Sequence, residues 1–245
     1  MRIAAVQLEI TPSRETNINN ALIFIEEAFE HKAELIVLPE AFNTGFFPEN
    51  YGKVENLENE LKPILKLSKN KKAIIVGGVV EKESDKLYNS SVLIYNGKII
   101  GKYRKTKLFP LSNERKYFSP GNEFKVFNTG IGNLGVLICY EIRFPEISRE
   151  LTKMGAEIII AMAEFPEERI EHWVTLLRAR AIENQLFVVG VNCVGGDKGY
   201  PGRSAIIDPL GNILAKAGNS QEIIFADVDL NMVKEVRKKF PFLED

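Results

Sequence analysis

The chain alternates short apolar runs with stretches whose apolar residues recur at helical spacing. RIAAVQLE, residues 2–9, predicts a first strand, broken by Thr11-Pro12-Ser13. Ala21, Ile23, Phe24, Ala28 and Phe29 then carry the spacing of a helix over residues 17–33. ELIVL, residues 34–38, predicts a second, buried strand that runs into Pro39-Glu40, with a loop containing Phe46 beyond it. A helix over 57–68 and a strand over 73–80 follow, then strands 88–95 and 98–103 joined at Asn96-Gly97, a strong hairpin signal. The segment 105–121, KTKLFPLSNERKYFSPG, is a long loop, a length that usually means function or mobility. Strands over 123–128 and 134–138 precede a helix over 145–154, a strand over 157–162 and a long helix over 168–184. A strand over 186–191, a glycine-rich turn over 195–202, three short strands over 204–208, 213–216 and 222–229, and a short helix from Asn231 end the chain. Alternating strands and helices interrupted by hairpins predict an α/β fold with mixed sheets. The hairpins fit two sheets packed face to face better than one doubly wound sheet. With no linker, repeat or low-complexity segment, the expectation is one domain over residues 1–245.

Polar residues just past strand ends carry the candidate chemistry, because ligands in open α/β sheets gather at the carboxyl ends of strands. The stretch 134–146, LGVLICYEIRFPE, sets Cys139 where a strand gives way to a helix opened by Pro145. The positive end of a helix favours a thiolate there. Taken alone, a free cysteine at a strand end reads as a small buried hydrophobe. Glu40 follows ELIVLP and Lys105 follows KIIGKYR; each alone reads as a surface residue. Together the three offer a base, a cation and a nucleophile. A carboxylate can take a thiol proton, and an ammonium can hold the oxyanion formed when sulfur attacks a carbonyl. Glu114, in the long loop, can orient Lys105, and an ammonium between two carboxylates stays charged.

Composition narrows the field. A net charge of −1 gives no sign of a nucleic-acid or membrane surface. No apolar run approaches the roughly 18 residues of a membrane span, and Met1 leads straight into strand-like sequence without a signal core. Two cysteines in 245 residues make no disulfide framework, which fits a reduced, cytoplasmic setting. The two histidines, His31 and His172, form no cluster of zinc-ligand spacing with cysteine, so the sequence implies no metal.

The motifs LPE at Glu40, YRK at Lys105, NERKYFSPG around Glu114 and GVLICYEIRFPE at Cys139 resemble the nitrilase, or carbon–nitrogen hydrolase, superfamily. The likeness runs from Val6-Gln7 to the tail VRKKFPFLED, nearly the whole chain. Lys107 stands where many members carry His. The resemblance implies an αββα sandwich that commonly dimerises. It also implies Glu40 as general base, Cys139 as nucleophile, an oxyanion hole formed by Lys105 and the Tyr140 N–H, and no metal or organic cofactor. The run AEFPEERIEHWVTLLRARAIENQ is similar to bacterial ω-amidases, which hydrolyse the terminal amide of 2-oxoglutaramate and 2-oxosuccinamate. Glu164 replaces their usual Asn and brings a negative charge toward the pocket. Arg143, four residues past Cys139, suits a substrate carboxylate through a bidentate fork, with an ion pair to Glu141 or Glu146 as the structural alternative. Phe46 and Phe165 are candidate pocket walls. Trp173 is expected to pack, His172 to lie at a surface and Cys193 to be structural. The expected reaction is hydrolysis of a small carboxylate-bearing amide through a Cys thioester. A nitrile hydrolase or another amidase, and a non-catalytic scaffold on the same fold, are the alternatives.

Overall fold

The computed structural model describes residues 1–196 and 199–244. Two six-stranded sheets dominate it. The first runs, edge to edge, through Glu222–Asp227, Arg2–Gln7, Leu35–Val37, Ile74–Glu83, Lys86–Tyr95 and Lys98–Arg104. The second runs through Ile213–Lys216, Ala205–Ile207, Phe187–Asn192, Ile158–Ala163, Gly132–Ile138 and Val126–Thr129. Both share one plan, a parallel centre with antiparallel margins. Parallel neighbours need crossover connections. The helices Arg14–Glu30, Lys62–Ser68, Pro145–Lys153 and Ile170–Asn184 supply them.

Period-two side-chain alternation sorts the central strands into layers. Ile3, Ala5, Leu35, Val37, Ile74 and Val76 of the first sheet share one buried cluster with Leu134, Val136, Ile158, Ile160, Phe187 and Val189 of the second. Their neighbours Ala4, Val6, Ile36 and Ile75 pack on Ala21, Ile25, Ala28 and Ile64 of the outer helices. Leu137, Ile159, Ala161 and Val188 likewise pack on Ile147, Leu151, Trp173 and Leu177. The result is the four-layer αββα sandwich. Burial on both faces is why these strands read as continuous apolar runs.

Local chemistry sets the element ends. Ser13 caps the first helix by accepting from the Thr16 N–H at 3.2 Å, and Gln185 closes Ile170–Asn184 in the left-handed region at φ 51°. The helix expected over 57–68 is two pieces, Leu57–Glu60 and Lys62–Ser68. Pro63, without an N–H, sits in the first turn of the second piece and cannot continue the first. The strand expected over 73–80 extends to Glu83 and turns back through Ser84, at φ 54°, into a second hairpin. The first strand ends at Gln7, and Glu9–Ile10 joins Val194–Gly195 and Tyr200–Pro201 in a small third sheet. The glycine-rich turn expected over 195–202 includes residues 197 and 198, which lie outside the described residues. Among the described residues no helix is long and apolar enough to cross a membrane.

Candidate active site

Glu40 follows the Leu35–Val37 strand, Lys105 follows Lys98–Arg104 and Cys139 follows Gly132–Ile138. The first two belong to one sheet and the third to the other, so face-to-face packing brings them together. Gly78 makes room for Glu40: a Cβ there would lie 2.5 Å from the Glu40 Cα. The turn is laced over this glycine, whose N–H donates to the Pro39 carbonyl at 3.0 Å while its own carbonyl accepts from the Phe42 N–H at 2.9 Å. Cys139 adopts φ 50°, a left-handed conformation that a non-glycine residue rarely takes. A short 3₁₀ turn, Cys139–Arg143, follows it before Pro145–Lys153 begins.

Glu40, Lys105 and Glu114 are all buried, where each alone was expected at the surface or in an open loop. Lys105 Nζ donates to Glu114 Oε1 at 2.6 Å and to Glu40 Oε1 at 3.0 Å. Asn89 Nδ2 donates to the same two oxygens, at 2.7 Å to Glu40 and 3.1 Å to Glu114. The outer oxygens are held by backbone: Glu40 Oε2 accepts from the Glu164 N–H at 2.9 Å and Glu114 Oε2 from the Phe109 N–H at 2.5 Å. Burial works against the Lys105 charge, but Glu40, Glu114 and Cys139 outweigh it and raise the ammonium's pKa, so it stays charged. Burial and then the Glu40 charge push the Cys139 thiol well above its ordinary range, with Lys105 pulling the other way. At neutral pH the group is therefore a thiol beside a carboxylate, an arrangement that can pass its proton to the carboxylate as sulfur attacks.

Lys105, Glu114 and Cys139 open onto a cleft of about 520 Å³ also lined by Phe46, Tyr51, Phe109, Tyr140, Arg143, Glu164, Phe165 and Arg169, among others. Arg143 makes neither ion pair weighed for it. Its guanidinium lies 5.3 Å from the Phe165 ring centroid, with both terminal nitrogens 3.4 Å from His172 Nδ1. Glu141 is instead occupied by Tyr103, Thr106 and Ile138. Arg169 lies over the Phe109 ring at 5.6 Å. Among the described residues neither guanidinium has a carboxylate at ion-pair distance. Phe165 does two things, lining the cleft and packing on buried Trp173 at 5.4 Å between centroids. Cys193 is fully buried. Sequence reasoning missed Asn89, Tyr51, Glu141 and Arg169. The polar run Asn89-Ser90-Ser91 inside a strand was the available signal for Asn89. Tyr51 is kept a neutral phenol by burial and by the nearby charges of Glu164, Glu114 and Glu40.

A Glu–Lys–Cys cluster where the two sheets of an αββα sandwich meet, its Glu and Lys buried and its Cys partly exposed, is the arrangement expected of a carbon–nitrogen hydrolase. The chain belongs to that family: the model described as Carbon-nitrogen hydrolase matches residues 2–238. Among curated proteins it is 38% identical to the 2-oxoglutaramate amidase of Bacillus subtilis (strain 168), covering 99% of this chain and 96% of that one. It is 34% identical to Omega-amidase NIT2 of Xenopus tropicalis, covering 98% of this chain and 92% of that one. Among solved structures the carbon-nitrogen hydrolase from Helicobacter pylori G27 matches with a TM-score of 0.93 and 28% identity, over 100% of this chain and 94% of that one.

Proposed function

We propose that this hydrolase cleaves the terminal amide of a small acid of the 2-oxoglutaramate or 2-oxosuccinamate type, releasing ammonia. The observation that carries the chemistry is the Lys105 ammonium held between Glu40 and Glu114 beside the Cys139 thiol. Glu40 takes the thiol proton as Sγ attacks the amide carbon. The oxyanion lies between Lys105 Nζ and the Tyr140 N–H. Glu40 returns its proton to the leaving nitrogen, the C–N bond breaks and a thioester remains. Glu40 then takes a proton from water as the water oxygen attacks the thioester. The C–S bond breaks, sulfur regains a proton and the acid departs. Glu114 holds Lys105 in place. These steps call on no metal or organic cofactor.

In the same cleft, Arg143 receives the substrate carboxylate, with Arg169 as a second cation and Phe46, Phe165 and Glu164 shaping the walls. The names of the Bacillus and Xenopus relatives support this substrate class. The reading includes one catalytic domain over residues 1–245, working as a homodimer in the cytoplasm. Ammonia release from 2-oxoglutaramate is measured beside glutamine, a simple aliphatic amide and an aliphatic nitrile, with Cys139→Ala as control. Strong preference for 2-oxoglutaramate, lost in the variant, is expected. Turnover of only the simple amide or the nitrile would overturn the substrate reading, and full activity of Cys139→Ala would overturn the mechanism.

A further inference from the structure

Glu141 is fully buried two residues past Cys139 and gathers hydrogen bonds from both sides of the sheet interface. Its Oε2 accepts from the Ile138 N–H at 2.9 Å, immediately before the left-handed Cys139. Its Oε1 accepts from the Tyr103 hydroxyl at 2.6 Å, the Thr106 hydroxyl at 2.7 Å, the Thr106 N–H at 2.8 Å and the Lys107 N–H at 3.3 Å. Tyr103 and Thr106 bracket Lys105 in the chain. One carboxylate thus ties the Tyr103 side chain, ahead of the lysine, and the Thr106 and Lys107 backbone, after it, to the backbone that enters the cysteine turn. The two anchors belong to different sheets. Every neighbour is a donor, and no cation is paired with Glu141 among the described residues. An ion-pair role therefore does not explain it.

We infer that Glu141 is a positioning residue that fixes the distance between the Cys139 sulfur and the Lys105 ammonium. The inference rests on the reading above, in which those two groups act on one carbonyl. The attacking sulfur and the oxyanion donors must meet the same substrate group, and a misplacement of about 1 Å costs on the order of 100-fold in rate. Glutamine in place of Glu141 keeps the shape but turns an N–H₂ toward donors on one side.

The test compares Glu141→Gln, Tyr103→Phe, Thr106→Val and the Glu141→Gln/Tyr103→Phe double variant with wild type, on whichever amide wild type turns over. A wrong assignment of the acid end of the substrate therefore leaves the test intact. Rates are normalised to the Cys139 that a thiol reagent can titrate, so misfolded protein is not counted. The expected result for Glu141→Gln is a kcat about 100-fold down with KM within about threefold. Tyr103→Phe and Thr106→Val should each lose about 3- to 10-fold in kcat. Adding Tyr103→Phe to Glu141→Gln should cost little more, because the two act through one contact. Folded Glu141→Gln with kcat within twofold of wild type would overturn the inference, as would fully additive losses in the double variant. Should Glu141→Gln fail to fold, unchanged kcat in both Tyr103→Phe and Thr106→Val would overturn it instead.

Discussion

Replacing Glu40 by glutamine should make Cys139 more acidic while making the enzyme nearly inactive. The thiol sits beside two carboxylates, Glu40 and Glu114, and one ammonium, Lys105. Burial is the largest cause of its raised pKa and Glu40 the next, with Lys105 opposing them. Glu40→Gln leaves one carboxylate against one ammonium. A unit charge at about 5 Å and an effective permittivity of about 20 is worth about 3 kcal/mol, or about 2 pH units of thiol pKa. The fall should lie within the range of about 1–3 units usual for a charge at contact. Losing the base should cost about 10²- to 10⁴-fold in kcat. The assay is a pH titration of thiolate ultraviolet absorbance in wild type and Glu40→Gln. Cys139→Ala versions of each serve for subtraction, so that buried Cys193 cancels. Ammonia release is measured on the same samples. A thiol pKa that stays put or rises, or an activity loss below about tenfold, would refute the reasoning, because Glu40 would then be neither the charge that holds the proton nor the group that takes it.

Gly78→Ala should destabilise the fold by about 1–3 kcal/mol, since the new Cβ meets the Glu40 backbone at 2.5 Å. It should also lower kcat by moving the base; thermal melting and kinetics together test this, and a wild-type melting curve would count against the packing argument. Arg143→Leu should lower kcat/KM for a carboxylate-bearing amide by about 10- to 100-fold, the worth of a charge-assisted hydrogen bond. It should leave a simple aliphatic amide almost untouched, and equal losses on both would remove Arg143 from substrate recognition. Asn89→Ala removes the donor shared by Glu40 and Glu114 and should cost about 1–3 kcal/mol in denaturant stability with a fall in kcat. No change in either would mean that Lys105 alone organises the two carboxylates.

The strand and helix pattern was legible because burial on both faces leaves little room for polar residues. ELIVL, LGVLI and their counterparts could hardly be anything but core strands. The Asn96-Gly97 hairpin declared itself by turn chemistry, whereas the Ser84-Asp85 hairpin did not, since neither residue is a glycine. Glu40, Lys105, Glu114 and Cys139 were legible as a set of motifs, but the first three were not legible as buried residues. Nothing local distinguishes Lys105 from Arg104 and Lys107 beside it; Glu40 and Glu114, distant in sequence, hold the one of the three that goes inside. Asn89 and Glu141 escaped because their partners lie far off in sequence, and hydrogen bonds between distant segments leave no periodic trace. Arg143 was legible as a cation near the nucleophile. Its seat on Phe165 and His172 depends on the start of the Ile170–Asn184 helix, which sequence spacing cannot place.

The charged cluster is not there for stability. Removing an ammonium and two carboxylates from water costs several kcal/mol per ion, and mutual attraction recovers this only when the remaining lone pairs find donors. Here they do: each oxygen of Glu40 and of Glu114 accepts at least one hydrogen bond. Asn89 Oδ1 stands apart, a buried acceptor with no partner among the described residues. The apolar seam between the sheets can carry the desolvation cost because its side chains are almost wholly removed from water. Division of the cluster between two sheets follows from the same economy. A base, a cation and a thiol brought close on one strand would face alternate sides of it. Set at the ends of strands in facing sheets, they converge on one point, and the packing of the seam, with the Glu141 carboxylate as its polar pin, sets how closely.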